Sequence, residues 1–304
     1  MKFRFGIQFT RTGSLADWLD TARKAEDSGF STLLVPDHLG DQFAPFPALT
    51  AAAGVTSTLR LGTLVLANDF RHPVLLAQEA ATLDLLSGGR LELGLGAGWM
   101  RSEYESAGLP FDSSGTRVER LGESLELLRL LWEGGPVSFE GRHYRTEGHV
   151  GLPSPVQSRL PLLVGGGSPR ILRTAGRHAD IVGVHHDLRS GAAGALDTTP
   201  DMTARKLQWV RQGAGDRFAD LELQVGVGIL WVTARPANVL DGLGRRLGLP
   251  ADTVAELPNV LVGDTGQIIE RLIERRDRYG FSYVVFQGRD LEDALPVVAA
   301  LAGC

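Results

Sequence analysis

The chain has 304 residues, with 31 Lys and Arg against 36 Asp and Glu and a formal net charge of -5. Apolar residues make up 43% and charged residues 22%, ordinary for a soluble globular protein, while 38 glycines stand well above the usual ~7%. With 15 prolines and no G-X-Y period, this excludes collagen-like and low-complexity chains, and charge spread without a basic stripe gives no footing for nucleic acid.

Phe3–Phe9 is predicted as a strand, and the charges within it argue against a signal peptide. Leu15–Ser28 follows as a helix, with Ser14 as N-cap and Gly29 as its stop. Thr32–Val35 is the second strand, ending at Pro36-Asp37-His38. A loop rich in Phe and Pro leads to a helix near Ala48–Gly54. Leu61–Leu66 is the third strand. Pro73–Leu86 is a helix with Pro in its first turn and Gly88-Gly89 at its end. Leu91–Leu95 is the fourth strand. Ser102–Ala107 reads as a short helix. Arg117–Trp132 is a longer one, with Leu121, Leu125, Leu128 and Leu131 at helical spacing for a core or a subunit interface.

Gly134–Thr146 carries two short alternating runs about Glu140-Gly141 and reads as a surface hairpin. Leu162–Val164 is the fifth strand, followed by Gly165-Gly166-Gly167-Ser168-Pro169 and a helix to about Gly176. Ile181–Val184 is the sixth. Asp187–Pro200 is rich in small residues and reads as a mobile loop able to close over a substrate. Ala204–Gln212 is a helix, Leu221–Val232 a seventh strand region and Asn238–Leu247 a helix. Leu249–Pro258 reads as an insertion. Gln267–Tyr279 is a helix, Tyr283–Phe286 the eighth strand and Leu291–Leu301 a closing helix. The last residue, Cys304, is the single cysteine, so no disulfide framework or thiolate metal site is expected, in keeping with the cytoplasm. No apolar run reaches the ~18–20 residues of a membrane span.

Strands alternating with helices imply parallel pairing and right-handed crossovers. Eight such units predict an α/β fold, a (β/α)8 TIM barrel with insertions; a doubly wound open sheet is the alternative. The expected unit is one domain over residues 1–304, with insertions near 101–160, 187–200 and 249–260.

A barrel of this kind carries its site at the C-terminal ends of the strands. The residues there are Asp37 and His38; Asn68, Asp69, Arg71 and His72; Gly96-Ala97-Gly98-Trp99; Gly165–Ser168; His185, His186 and Asp187; Trp231; and Gln287, Gly288 and Arg289. Three glycines opening a helix offer backbone N–H groups to a phosphate, against the plainer reading of a flexible turn. Gly94-Leu95-Gly96-Ala97-Gly98 follows the fourth strand and lacks the dinucleotide spacing, so it reads as close backbone approach to a flat ring or as tight packing. Bulky side chains at Gly98 or Gly166 are expected to block a ligand without unfolding the barrel. Asp37-His38 suits acid–base work or a cap with a loop hydrogen bond. His185 and His186 are strand neighbours that point opposite ways, so no metal site is assigned.

Together these motifs resemble the bacterial luciferase-like monooxygenase superfamily, and more closely its actinobacterial oxidoreductases that use the deazaflavin coenzyme F420. The resemblance rests on Leu34–His38, Leu61–Leu66, Pro73–Asp84, Ser87–Trp99 and the Gly165–Ser168 turn. It implies a luciferase-like barrel, often dimeric. His38 would lie beside the reactive face of the ring, with Asp37 next to it. Leu64–Val65 would match a non-proline cis peptide, and the backbone of Gly96–Trp99 and Gly165–Ser168 would hold the cofactor tail and phosphate. Members that use FMN carry an Arg where this chain has Ala97, which favours the deazaflavin. Sugar-phosphate dehydrogenases of the group place a catalytic Glu where this chain has Trp99, so their acid–base scheme does not carry over. Glu103 lies close in sequence and receives no role.

The expectation is an oxidoreductase that moves a hydride between coenzyme F420 and a small organic substrate. It would be a homodimer and draw on a separate cofactor-reducing enzyme. An FMNH2-dependent monooxygenase and a non-catalytic ligand-binding barrel are the rivals. An aldolase ranks below them, because Lys2, Lys24 and Lys206 lie at no predicted strand end.

Overall fold

A computed structural model describes residues 1–10, 13–188 and 194–304. Strand β1 (Arg4–Gln8) leads into helix α1 (Leu15–Asp27). The Ser14 side chain accepts from the Asp17 amide and the Asp17 side chain from the Ser14 amide, a reciprocal cap that fixes where α1 starts. β2 (Thr32–Val35) is followed by α2 (Pro45–Ala53), which begins earlier than expected because Pro45 suits a first helical turn. β3 (Arg60–Thr63) breaks at Leu64–Val65, whose peptide is cis, and resumes as β4 (Leu66–Ala67). α3 (Pro73–Ser87) ends at Gly88 with φ of 67°, and β5 (Leu91–Gly96) follows.

α4 (Arg101–Ser106) and α5 (Ser114–Glu133) precede the expected hairpin, β6 (Pro136–Glu140) and β7 (Arg145–Val150), which is antiparallel. Leu121, Leu125, Leu128 and Leu131 are fully buried within the chain, so the leucine row of α5 is core rather than interface. β8 (Leu162–Gly166), α6 (Pro169–His178) and β9 (Ile181–Val184) come next. Of the expected loop at 187–200, residues 189–193 lie outside the described residues. Ala195–Thr198 forms a 3-10 turn, and α7 (Pro200–Ala214) starts before the expected Ala204 because the Thr199 hydroxyl caps it.

The expected seventh strand is two strands. β10 (Glu222–Gly226) stays in the barrel, whereas β11 (Ile229–Val232) leaves it and pairs in parallel with a strand missed from the sequence. α8 (Pro236–Leu247) and α9 (Ala251–Glu256) precede that partner, β12 (Val260–Gly263). α10 (Thr265–Tyr279), β13 (Phe281–Gln287) and α11 (Leu291–Leu301) finish the chain.

The barrel runs β3, β2, β1, β13, β10, β9, β8, β5 and closes through β5 onto β3 and β4, parallel throughout. An apolar layer lies between strands and helices, and a smaller cluster of Leu34, Leu64, Leu163, Ile181, Tyr283 and Val285 fills the interior. At the N-terminal ends, Arg4 pairs with Glu92 and Glu222, Arg60 also pairs with Glu92, and the Arg4 guanidinium lies 3.6 Å from the Tyr283 ring centre. This ionic knot belongs to the stability face of the barrel; the opposite face is open. No helix among the described residues is long and apolar enough to cross a membrane.

Candidate active site

A cavity of about 380 Å³ opens at the C-terminal ends of the strands. Its wall brings together Asp37, His38, Leu64, Val65, Gly96, Ala97, Gly98, Trp99, Gly165, Gly166, Gly167 and Ser168. His185, His186, Asp187 and Gln287 join them, as do Gln8 and Asn259, which no sequence signal singled out. Asn68, Asp69, Arg71, His72, Gly288 and Arg289 stand outside this wall. Trp231 does too: β11 carries it out of the barrel, where it is 53% exposed.

The glycines of the two strand ends make room for protein rather than for a ligand. A Cβ on Gly94 would lie 1.9 Å from the Thr63 carbonyl oxygen, and one on Gly96 would lie 2.8 Å from Val65 Cγ2. One on Gly165 would come within 3.3 Å of Val65 Cγ1. These bare positions let Val65 sit between β5 and β8 at the cavity floor. Gly98 has φ of 72°, and its Cβ would fall 1.9 Å from Tyr104 Oη; at Gly166 the obstacle is Ile171 Cγ2 at 2.4 Å. The expectation for bulky substitutions there is corrected: they strike the wall before they reach the cavity. The bare backbone is still what the cavity sees at both loops.

Arg117 from α5 braces one of these loops. Its buried guanidinium donates to the carbonyl oxygens of Ala97 (3.2 Å), Gly98 (3.4 Å) and Asp112, and stacks over the Phe111 ring. From the sequence it read only as the first residue of a helix.

Asp37 does not serve His38. Its buried carboxylate accepts two hydrogen bonds from Arg71, at 2.6 and 3.0 Å, and one from the Ala67 amide at 3.0 Å. It thereby ties the end of β2 to the turn after β4. The carboxylate on the His38 ring is Glu103, reached across 65 residues from α4. His38 Nδ1 lies 3.0 and 3.2 Å from its two oxygens, and the Leu39 amide donates to Oε1 at 3.1 Å. Trp99 meets the imidazole edge-on, with ring centres 6.0 Å apart.

On the other side of the mouth the two imidazoles are neutral. Burial, reinforced by His186 and Lys206 and opposed by the neighbouring Gln224 side chain, pushes the His185 imidazole down to about 4. His186 is also held down by burial and by Lys206. Asn259 Nδ2 lies 3.2 Å from His186 Nε2; with the amide donating, that nitrogen accepts and the ring proton sits on Nδ1. Asn259 Oδ1 and His186 Nδ1 are buried without hydrogen-bond partners, the Asp197 carboxylate lying 3.9 Å from the latter. Lys206 is 1% exposed, and its ammonium donates at 2.7 Å to both the His185 carbonyl and Asp197. Burial lowers its pKa, and the bond to Asp197 opposes that. It is thus a strut, not a free amine.

Such an arrangement offers an apolar slot with bare backbone on two sides, one imidazole carrying a carboxylate partner, and neutral polar atoms left for a ligand. A family model described as luciferase-like monooxygenase matches residues 1–234. An F420-dependent glucose-6-phosphate dehydrogenase from Nakamurella multipartita is 37% identical over 230 residues, covering 73% of this chain and 66% of that protein. The matches span about half to two thirds of the length of such curated relatives. Among solved structures, a coenzyme F420 dependent tetrahydromethanopterin reductase from Methanopyrus kandleri superposes with a TM-score of 0.79 over 99% of both chains at 22% identity. An F420-dependent secondary alcohol dehydrogenase does so with a TM-score of 0.77 at 20% identity, over 99% of this chain and 98% of that one.

Proposed function

The chain belongs to the luciferase-like monooxygenase family, and from that premise we propose that it is a coenzyme F420-dependent oxidoreductase acting on a small organic substrate. One observation carries the reading: a single cavity joins His38 to two strand ends of bare glycine backbone. Similarity to proteins named for F420 dependence supports the choice of cofactor.

The residues present suit such a group. The slot is lined by Leu64, Val65 and Gly96–Gly98, an apolar surface suited to a ring system. α6 starts at Pro169 with no side chain capping its first turn, which leaves backbone N–H groups for an anionic tail near Gly165–Ser168. The unpartnered polar atoms of His186 and Asn259 would be available for hydrogen bonds to ligand. When bound, the deazaflavin would supply hydride chemistry at its ring carbon. His38, on the rim, holds or moves a proton as charge develops on the substrate. Trp99 beside it and the apolar lining keep water from the reacting atoms. The same reading takes the protein as a cytoplasmic homodimer supplied with reduced cofactor by a separate enzyme.

Equilibrium titration by fluorescence, with F420 and FMN side by side, is the test. F420 is expected to bind at least ~10-fold tighter, a difference of about 1.4 kcal/mol. Tighter binding of FMN would overturn the assignment in favour of an FMNH2-dependent monooxygenase. Tight F420 binding with no absorbance change against any alcohol, aldehyde, ketone or imine would favour a ligand-binding barrel.

A further inference from the structure

We propose that Glu103 is the positioning residue of this site, acting through His38. It fixes the imidazole with the proton on Nδ1 and leaves Nε2 as the nitrogen available to the cavity. The proposal rests on the hydride-transfer reading only for its turnover arm; the arm on the free protein stands without it.

Three observations converge. Both Glu103 oxygens lie within hydrogen-bond distance of Nδ1, at 3.0 and 3.2 Å, and a carboxylate can only accept, so Nδ1 must donate. The same Oε1 accepts from the Leu39 amide at 3.1 Å, so one carboxylate holds both the ring and the backbone that carries it. The nearer carboxylate in sequence, Asp37, is already taken by Arg71 and Ala67 and cannot play this part. Glu103 is itself held in place by its neighbour. Tyr104 is 1% exposed, packs between Phe70 and Phe111 and reaches Asp69 through its hydroxyl at 3.2 Å.

The consequence is chemical. An imidazole donating from Nδ1 to a carboxylate presents a lone pair at Nε2, and the carboxylate stabilises the cation formed when Nε2 takes a proton. Without Glu103 the ring is free to rotate or to carry its proton on Nε2, where it can no longer accept.

The test uses the free, full-length protein with 15N-labelled histidine. At a pH where the His38 ring is neutral, NMR should report the Nδ1–H tautomer. Glu103→Ala should lose that preference, and Glu103→Gln, which keeps the side-chain length and an acceptor for the Leu39 amide, should lose less of it. In turnover, Glu103→Ala should slow the reaction roughly 10- to 100-fold, within or below the ~10²–10⁴ of an acid–base group itself. Its effect on cofactor affinity should stay under about threefold. In a His38→Ala background, Glu103→Ala should add less than about twofold, because its route is gone. An Nε2–H tautomer in the wild type, or the same slowing with and without His38, would overturn the proposal. If neither cofactor binds, the reading of function falls, and the tautomer measurement still decides for or against Glu103.

Discussion

The mouth of this barrel is built in two ways. On the side of β2, β4 and β5, each carboxylate near the cavity has a named side-chain partner: Asp37 with Arg71, Asp69 with Arg120, Glu103 with His38. On the side of β8, β9 and β12, the cavity wall is glycine backbone, two imidazoles held neutral by burial, an asparagine and Asp187. The unpartnered polar atoms of His186 and Asn259 belong to this second side. Under the proposed function these are the atoms that a bound ligand would satisfy. The first side sets geometry through its own ion pairs; the second is the side to which the proposed function assigns the ligand.

If that division is right, substitutions on the first side should separate chemistry from architecture. The largest effect belongs to His38→Ala, expected to lower turnover by roughly 10²-fold or more with cofactor affinity nearly unchanged. Single-turnover absorbance measurements read it directly, and turnover within a fewfold of wild type would remove His38 from the reaction. Next comes Asp37→Ala, a residue adjacent in sequence with the opposite signature. It leaves Arg71 with only the more distant, exposed Glu79 at 3.8 Å and frees the Ala67 amide, and should cost about 2 kcal/mol of folding stability. That figure sits below the ~3–5 kcal/mol of a fully buried pair because the Arg71 side chain is 22% exposed. Urea unfolding measures the loss. The folded fraction should turn over faster than His38→Ala; equal loss of turnover in the two variants would put Asp37 back in the chemistry.

The same division explains what could be read from the chain. Strands and helices follow from local periodicity and caps, so α1 with its Ser14 cap and α3 with its Pro73 start and Gly88 stop were legible to within a residue or two. The loops that line the cavity were legible because a barrel puts strand ends there. Partners were not. Nothing local says that His38 pairs with Glu103, 65 residues on, rather than with the adjacent Asp37. β12 (Val260–Gly263), no shorter than β2 or β9, was missed because it falls between the expected insertion and the expected helix at Gln267, where no strand was sought, and β11 was merged with β10 because the apolar pattern runs across Val227-Gly228 without a charge. The glycines pointed to the right place for a partly wrong reason. Their Cβ positions are closed by Thr63, Val65, Tyr104 and Ile171, which requires the folded structure to see.

The sharpest probe of the second side is its response to pH. Burial holds the folded-state His185 at about 4, against the ~6.5 of an exposed histidine. Between those values the unfolded chain binds up to about one more proton at this residue than the folded one. Stability therefore rises with pH across the window. The contribution is fully present above about 6.5 and is lost as pH falls through about 4, below which both states are protonated. His185→Gln keeps a polar side chain and removes the titration, so its unfolding free energy should fall less steeply between pH 6.5 and 4.5 than that of wild type. Some slope should remain, since burial also depresses His178 and His186. Parallel slopes for the two proteins would mean that the imidazole reaches water. The second side of the mouth would then be solvated, and its unpartnered atoms would be satisfied by water rather than kept for a ligand.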